Sequence, residues 1–254
     1  LGGYDRAVAQ AARLAPELPV VCQPGMNEEY GASAVMGSQL AAEQPDCRYD
    51  GIVGLWYGKA PGVDRAADAL RHAVFTGTSQ HGGAVAIVGD DPAAKSSTVP
   101  SSSAGVLGDM HVPLFYPGDP AEALDYGRHA IALSRATGLW AALKIVADVA
   151  DATATVELHR DRIVPVLPEI DGRAYRHTPN GNLLTPRTLD VEREIVEVRY
   201  PLAREYATLN GLNRVTVNPG NAWIGIISSG ITYREVREAF VRLGIGSDRE
   251  IEAC

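Results

Sequence analysis

Two uninterrupted apolar runs, Gly51-Ile-Val-Gly-Leu-Trp-Tyr57 and Gly83-Ala-Val-Ala-Ile-Val-Gly89, limit this chain most. Strands that alternate apolar and polar residues can leave one face in water, but these runs need cover on both faces. That requirement fits interior strands of a parallel sheet. Between the runs lie segments of helical period, with further strand-like stretches at 18–22, 112–116 and 140–146. Strand alternating with helix at this rhythm predicts an α/β fold, a doubly wound parallel sheet with helices on both faces. Helices are expected over 4–14, 28–42, 63–76, 103–109 and 121–137, with Asn27 and Asp119 as N-caps. The loops after Cys22, Tyr57, Gly89 and Tyr116 then converge on one sheet edge.

Residues 1–158 read as this domain. Residues 159–187, rich in Pro, Arg, Asp and Gly, read as a linker or crossing segment. From 188 onward, helical spacing resumes, with Pro201 expected to split it into two helices. An apolar run at 223–230 followed by a helix over 232–243 reads as the beginning of a second α/β domain. Leu1 is not an initiator Met and the final helix has no strand after it, which leads to the expectation of a fragment of a longer chain.

A net charge of −8 argues against nucleic acid and anionic membranes as partners, since both need basic patches. No run is long enough to span a bilayer. The three cysteines, Cys22, Cys47 and Cys254, form no C-x-x-C. They fit free thiols in a reducing, cytoplasmic setting without an export signal. The six histidines lack metal-ligand spacing, so no metal site is expected in this chain. Gly54-Leu-Trp-Tyr-Gly58-Lys59 is one residue short of a phosphate loop, and no G-x-G-x-x-G follows a strand.

The stretch Gln23-Pro-Gly-Met-Asn-Glu-Glu-Tyr-Gly31 places two carboxylates, Glu28 and Glu29, on the first turn of a helix after a strand-like run. Acidic groups there suit the helix dipole, and helix-end stabilisation alone would account for them. The carboxyl edge of a parallel sheet is also where α/β proteins place ligands. Lys59 and Lys95 are loop cations at that edge; solvated loop lysines read the same way. Asp90 and Asp91 end a strand there, although an Asx turn explains them equally well. Trp56 and Tyr57 read as core or cleft wall.

Asn27-Glu28, with Gly37 nine residues later, resembles the activating-glutamate segment in the pyrimidine-binding domain of thiamine-diphosphate enzymes. Tyr57-Gly-Lys-Ala-Pro-Gly62, Gly89-Asp-Asp-Pro-Ala-Ala-Lys-Ser-Ser-Thr98 and Tyr116-Pro-Gly-Asp119 look like successive loops of the 2-oxoacid:ferredoxin oxidoreductases. Within that branch the chain is most similar to the indolepyruvate ferredoxin oxidoreductase family. The resemblance implies oxidative decarboxylation of a 2-oxo acid such as indolepyruvate or another aryl pyruvate. Thiamine diphosphate would do the chemistry, coenzyme A would take the acyl group, and iron-sulfur clusters would pass electrons to ferredoxin. It makes Glu28 the catalytic residue, through a hydrogen bond to the aminopyrimidine, and places Asn27, Gly58, Lys59, Pro61 and Gly62 at the cofactor. Asp90, Asp91, Lys95 and Ser96 would face substrate or a neighbouring domain.

The family's Gly-Asp-Gly diphosphate site with its magnesium, and its cluster cysteines, have no counterpart in this sequence. A pyrophosphate-binding domain, from the same or another chain, is therefore expected as a partner, in a homo-oligomer. The segment alone is expected to be inactive and to bind the cofactor poorly. Two other readings fit the same residues: a non-catalytic subunit or assembly module with this fold, and a flavodoxin-like nucleotide-binding protein, which the absent phosphate loops disfavour.

Overall fold

Four parallel strands, in the order β1-β2-β4-β3, form the sheet of the computed structural model, which describes residues 3–253. In chain order the elements begin with helices α1 (Tyr4–Leu14) and α2 (Glu28–Ala41), strand β1 (Gly54–Lys59), helices α3 (Ala60–Arg65) and α4 (Ala67–Thr76), and strand β2 (Ala84–Asp90). Then follow α5 (Ala104–Asp109), β3 (Leu114–Phe115), α6 (Pro120–Thr137), β4 (Ala141–Val146) and the single turn α7 (Ala147–Ala150). A two-residue hairpin, β5 (Glu169–Ile170) and β6 (Arg173–Ala174), precedes α8 (Arg187–Glu194), α9 (Tyr200–Leu209), α10 (Ile231–Arg242) and α11 (Asp248–Glu252).

The expected parallel α/β sheet is present. Every residue of β2 is buried, as its unbroken apolar sequence requires of a central strand. Helices α2 and α4 pack together, α2 lies on β1, and α6 lies on β2 and β4. The local caps behave as read: Asn27 Oδ1 accepts from the Tyr30 N–H at 2.9 Å, and Asp119 Oδ1 accepts from the Glu122 N–H at 2.8 Å.

Several expected elements differ. The stretch 18–22 is irregular, with Val21 85% exposed. Pro19 cannot donate to a ladder, and the Val20 N–H turns back to Leu18 O at 2.7 Å, so an apolar run alone does not make a strand here. β1 is consequently an edge strand whose outward residues Leu55 and Tyr57 are exposed. The run 223–230 likewise forms no strand, and Ile227 is fully exposed. Only Leu114 and Phe115 of the stretch 112–116 pair with β4.

Gly58 and Lys59 belong to β1, and the expected loop 58–62 is replaced by an immediate start of α3, where Pro61 stands in the first turn and needs no donor. The expected helix 63–76 is two helices joined at Ala66. Pro201 does not split the helical run from 187 to 209. A π-helical turn, Ile195–Arg199, precedes it instead, with the Tyr200 N–H donating to Ile195 O. Cys22 and Cys47 are free thiols, whereas Cys254 lies outside the described residues. Among the described residues, no helix is long and apolar enough to cross a membrane.

Gln39 of α2 locks the beginning of the sheet. Its side chain is fully buried; Nε2 donates to Ile52 O at 2.9 Å, and Oε1 accepts from Ser79 N at 3.1 Å and Gly83 N at 3.0 Å. One amide thus satisfies three backbone groups that water cannot reach. Gln39→Leu keeps the volume and strands those groups, so it should cost about 3 kcal/mol in urea unfolding.

At the same strand-start end, Thr78 N bonds to Gly138 O at 3.1 Å, and His177 packs against Gly138 so closely that a Cβ there would lie 2.6 Å from the ring. Burial, and then the charge of Arg199, push the His177 imidazole down to about 4, against smaller opposing effects of Glu194 and the Thr78 backbone. A His whose folded pKa is depressed contributes full stability above its unfolded value of about 6.5, and loses it as pH falls towards 4. Wild type should therefore lose about 3 kcal/mol more than His177→Gln between pH 7 and pH 4, measured by urea unfolding across that range.

Candidate active site

At the opposite end, where β1 and β2 finish, the first turn of α2 meets the start of α3. Asn27 is the N-cap, so Glu28 and Glu29 occupy the first two helical positions, where the dipole favours negative charge. The fold does not treat these two alike. Glu29 is exposed, whereas Glu28 is half-buried with its side chain against Gly62: a Cβ at Gly62 would lie 2.8 Å from Glu28 Cγ and 3.3 Å from Oε1. Among the described residues, the Glu28 carboxylate takes no hydrogen bond and no ion pair. It is therefore a carboxylate held in place by packing, with its acceptor capacity unused.

Trp56 holds this turn to the sheet. Its Nε1 donates to Glu28 O at 2.9 Å, and the indole is buried at 2% exposure. A Cβ at Gly31 would lie 3.1 Å from Trp56 Cδ1, and one at Gly58 would lie 2.6 Å from Cη2. Absent side chains at these two positions let helix and strand close on the ring. Pro61 and Gly62 form the first turn of α3, and Lys59 reaches across to the loop after β2, donating to Ser96 O at 2.5 Å.

That loop is organised by Asp91. Its carboxylate accepts from Ser96 N at 2.7 Å and from Lys95 N at 3.1 Å, and the backbone bond from Ser96 holds its pKa below the ordinary carboxylate value. Asp91 and Ser96 are thus a turn and a strut for Lys59. Lys95 pairs with Asp151 at 3.3 Å on the surface. Asp90 turns inward, accepting from Ser103 Oγ at 2.8 Å and pairing with Lys144 Nζ at 3.1 Å. The candidate residues therefore separate: Glu28 and Gly58 meet Trp56, Gly62 meets Glu28, Asn27 and Pro61 stand in the helix starts on either side, and Lys59 reaches the loop held by Asp91, while Asp90 belongs to a second cluster.

That second cluster was not anticipated. Lys144 Nζ lies 4.6 Å from the ring centroid of Tyr116, whose pKa is raised by burial and then by Glu235, Asp90 and Asp148. The cue in the sequence is a lysine inside the otherwise apolar strand Ala141–Val146. Register puts Gly58, Val88 and Lys144 in one row across the sheet. With strands about 4.8 Å apart, the Cα of Lys144 stands about 10 Å from that of Gly58, on the same face as Trp56.

Comparison with known proteins bears on the family of the chain. The chain is 30% identical to indolepyruvate oxidoreductase subunit IorA of Methanothermobacter marburgensis over 222 residues, 87% of this chain and 34% of that protein. It is 26% identical over the same length to the IorA subunit of Methanothermobacter thermautotrophicus, and 24% identical over 219 residues to that of Archaeoglobus fulgidus. The resemblance read from the loops holds over most of the chain. The chain spans about a third of the length of these relatives. No family model matches it, and no solved structure matches it.

The contact between Glu28 and Gly62 is tight enough to test. In the full-length protein, Gly62→Ala should push the carboxylate aside and, if Glu28 takes part in the reaction, lower turnover at least tenfold, since misplacement by about 1 Å can cost about 100-fold. Thermal unfolding should move by only a few degrees. Full activity in Gly62→Ala would show that the position of Glu28 is unimportant.

Proposed function

We infer that this chain forms the aminopyrimidine-binding part of a thiamine-diphosphate-dependent oxidoreductase that decarboxylates indolepyruvate or another aryl pyruvate. The observation that carries the reading is the placement of Glu28: a half-buried, unpaired carboxylate at a helix start, on the carboxyl edge of a parallel sheet. The relatives' names add the oxidoreductase class and the indolepyruvate substrate.

The residues present fit an aminopyrimidine. A flat heteroaromatic ring needs a carboxylate for its ring nitrogen and a close backbone approach, and Gly62 offers backbone without a side chain beside Glu28. Thiamine diphosphate, when bound, supplies the carbon nucleophile and the electron sink that a 2-oxo acid requires. Glu28 would hold a proton at Oε1 or Oε2 and exchange it with the ring nitrogen. Asn27 fixes where α2 begins and so where the carboxylate points. Trp56 prevents the turn from rotating. Gly58, Pro61 and Gly62 form the adjoining wall, and Lys59 supports the loop opposite through Ser96.

Ferredoxin as electron acceptor, coenzyme A as acyl acceptor, magnesium and iron-sulfur clusters belong to the same reading. The cluster cysteines and the Gly-Asp-Gly turn they need are not in this sequence, so other domains or chains are assigned those tasks. In the full-length protein, Glu28→Gln should reduce 2-oxo acid oxidation by about 100-fold to 10,000-fold, the usual range for a lost proton-transfer group. Glu29→Gln should stay within a few-fold of wild type. Near-normal turnover in Glu28→Gln, with unchanged unfolding, would dispose of the assignment.

A further inference from the structure

The end of the sheet opposite Glu28 carries a feature the proposed reaction does not use. A cavity of about 440 Å³ opens between the C-terminus of α4, the segment 176–180 and the helices from α8 to the π-turn. Its walls carry three guanidinium groups, those of Arg176, Arg187 and Arg199, against one carboxylate, Glu194. For a chain of net charge −8, that concentration of positive charge is a local reversal. Arg176 and Arg187 are exposed and make no ion pair among the described residues.

Arg199 is built in rather than solvated. Its side chain is 7% exposed; Nε donates to Tyr175 Oη at 3.1 Å and Nη2 pairs with Glu194 at 3.3 Å, while Tyr175 donates to the same Glu194 oxygen. Nη1 is buried with no hydrogen-bond partner, close against Gly77, where a Cβ would lie 3.0 Å from it. A buried guanidinium N–H without a partner is unfavourable, so the fold retains it at a penalty. The two ring nitrogens of His177, stacked on Tyr175 at a centroid distance of 5.7 Å, are also buried without a hydrogen bond of normal geometry. Arg199 closes the π-helical turn, and such turns re-aim side chains and recur at functional sites. Phe75 and Val191 supply apolar wall, and Thr178 and Asn180 supply neutral polar groups.

We propose that this cavity binds a small organic anion, its phosphate or carboxylate group held by Arg176 and Arg187 with the buried charge of Arg199 behind them, and its body against Phe75 and Val191. Planar guanidinium groups match either anion in paired hydrogen bonds. The volume lies within the range of about 300–1,000 Å³ typical of small-molecule pockets, well beyond what a bare inorganic anion fills. The site is independent of Glu28: it lies at the strand starts, about 20 Å along the sheet from the strand ends.

Isothermal titration of the full-length protein with inorganic phosphate, phenyl phosphate and phenylacetate tests this. At least one of the two phenyl compounds should bind saturably at one site, and the preference between them identifies the anionic group. Arg176→Gln and Arg187→Gln, both on exposed positions, should each weaken that binding at least tenfold without changing thermal unfolding of the free protein. Arg193→Gln, on the same helix as Arg187 but outside the cavity, should leave it unchanged, and so should Glu28→Gln. Absence of saturable binding, equal binding by the Arg176 and Arg187 variants, or loss of binding in Glu28→Gln would overturn the site. Inorganic phosphate binding as tightly as phenyl phosphate would overturn the assignment of an organic ligand.

Discussion

The hydrogen bond from the Trp56 indole to the carbonyl of Glu28 is the constraint on which the candidate active site depends. An N-cap fixes where a helix starts but not how the first turn is rotated against its surroundings. A buried indole N–H needs an acceptor, and here it finds the carbonyl of the first helical residue. The ring is itself fixed by the missing side chains of Gly31 and Gly58, so strand, helix and carboxylate become one rigid unit. The Glu28 side chain then has one wall, Gly62, and needs no hydrogen bond to stay near it. Position comes from packing, which leaves the carboxylate's lone pairs unengaged.

What the sequence made legible follows from the range of each interaction. Asn27 and Asp119 were readable as caps because capping is settled within three residues. β2 was readable because a strand covered on both faces must be apolar throughout. The runs at 18–22 and 223–230 carry the same apolar signal and form no strand, since composition reports a need for cover and not the presence of a pairing neighbour. Pro19 was the local warning at the first of them. The site divided in the same way. Glu28 was distinguished from Glu29 by resemblance and by spacing to Gly37, whereas the physical difference, contact with Gly62, spans 34 residues of sequence and leaves no local mark. Lys144 was the opposite case, a visible charge inside an apolar strand, whose meaning became plain only when Asp90 and Tyr116 were placed beside it.

Asp90 and Asp91 show how neighbouring carboxylates acquire separate tasks from strand geometry. Alternation sends consecutive residues to opposite sides. Asp90 continues β2 inward to Ser103 and Lys144, while Asp91 has left the strand and binds backbone N–H groups of its own loop. The first neutralises a lysine that would otherwise be buried unpaired, at a cost of several kcal/mol. The second shapes the loop that receives Lys59. Both have their acceptors engaged, whereas Glu28 is a half-buried carboxylate with unused acceptors.

Polar groups concentrate at both ends of this sheet because the middle cannot hold them, and the two ends differ in kind. At the strand ends the charges are nearly balanced: Asp90 answers Lys144, Lys95 answers Asp151, and Lys59 is taken up by a carbonyl. At the strand starts three arginines face one glutamate, with His177 kept neutral by burial and by Arg199. The two regions are joined by β2 and β4, strands buried almost throughout and packed at the density of protein interiors. Coupling between distant sites needs an element with two discrete arrangements that both sites bias. A strand buried along its length is not by itself such an element, and β2 and β4 are what the two ends share.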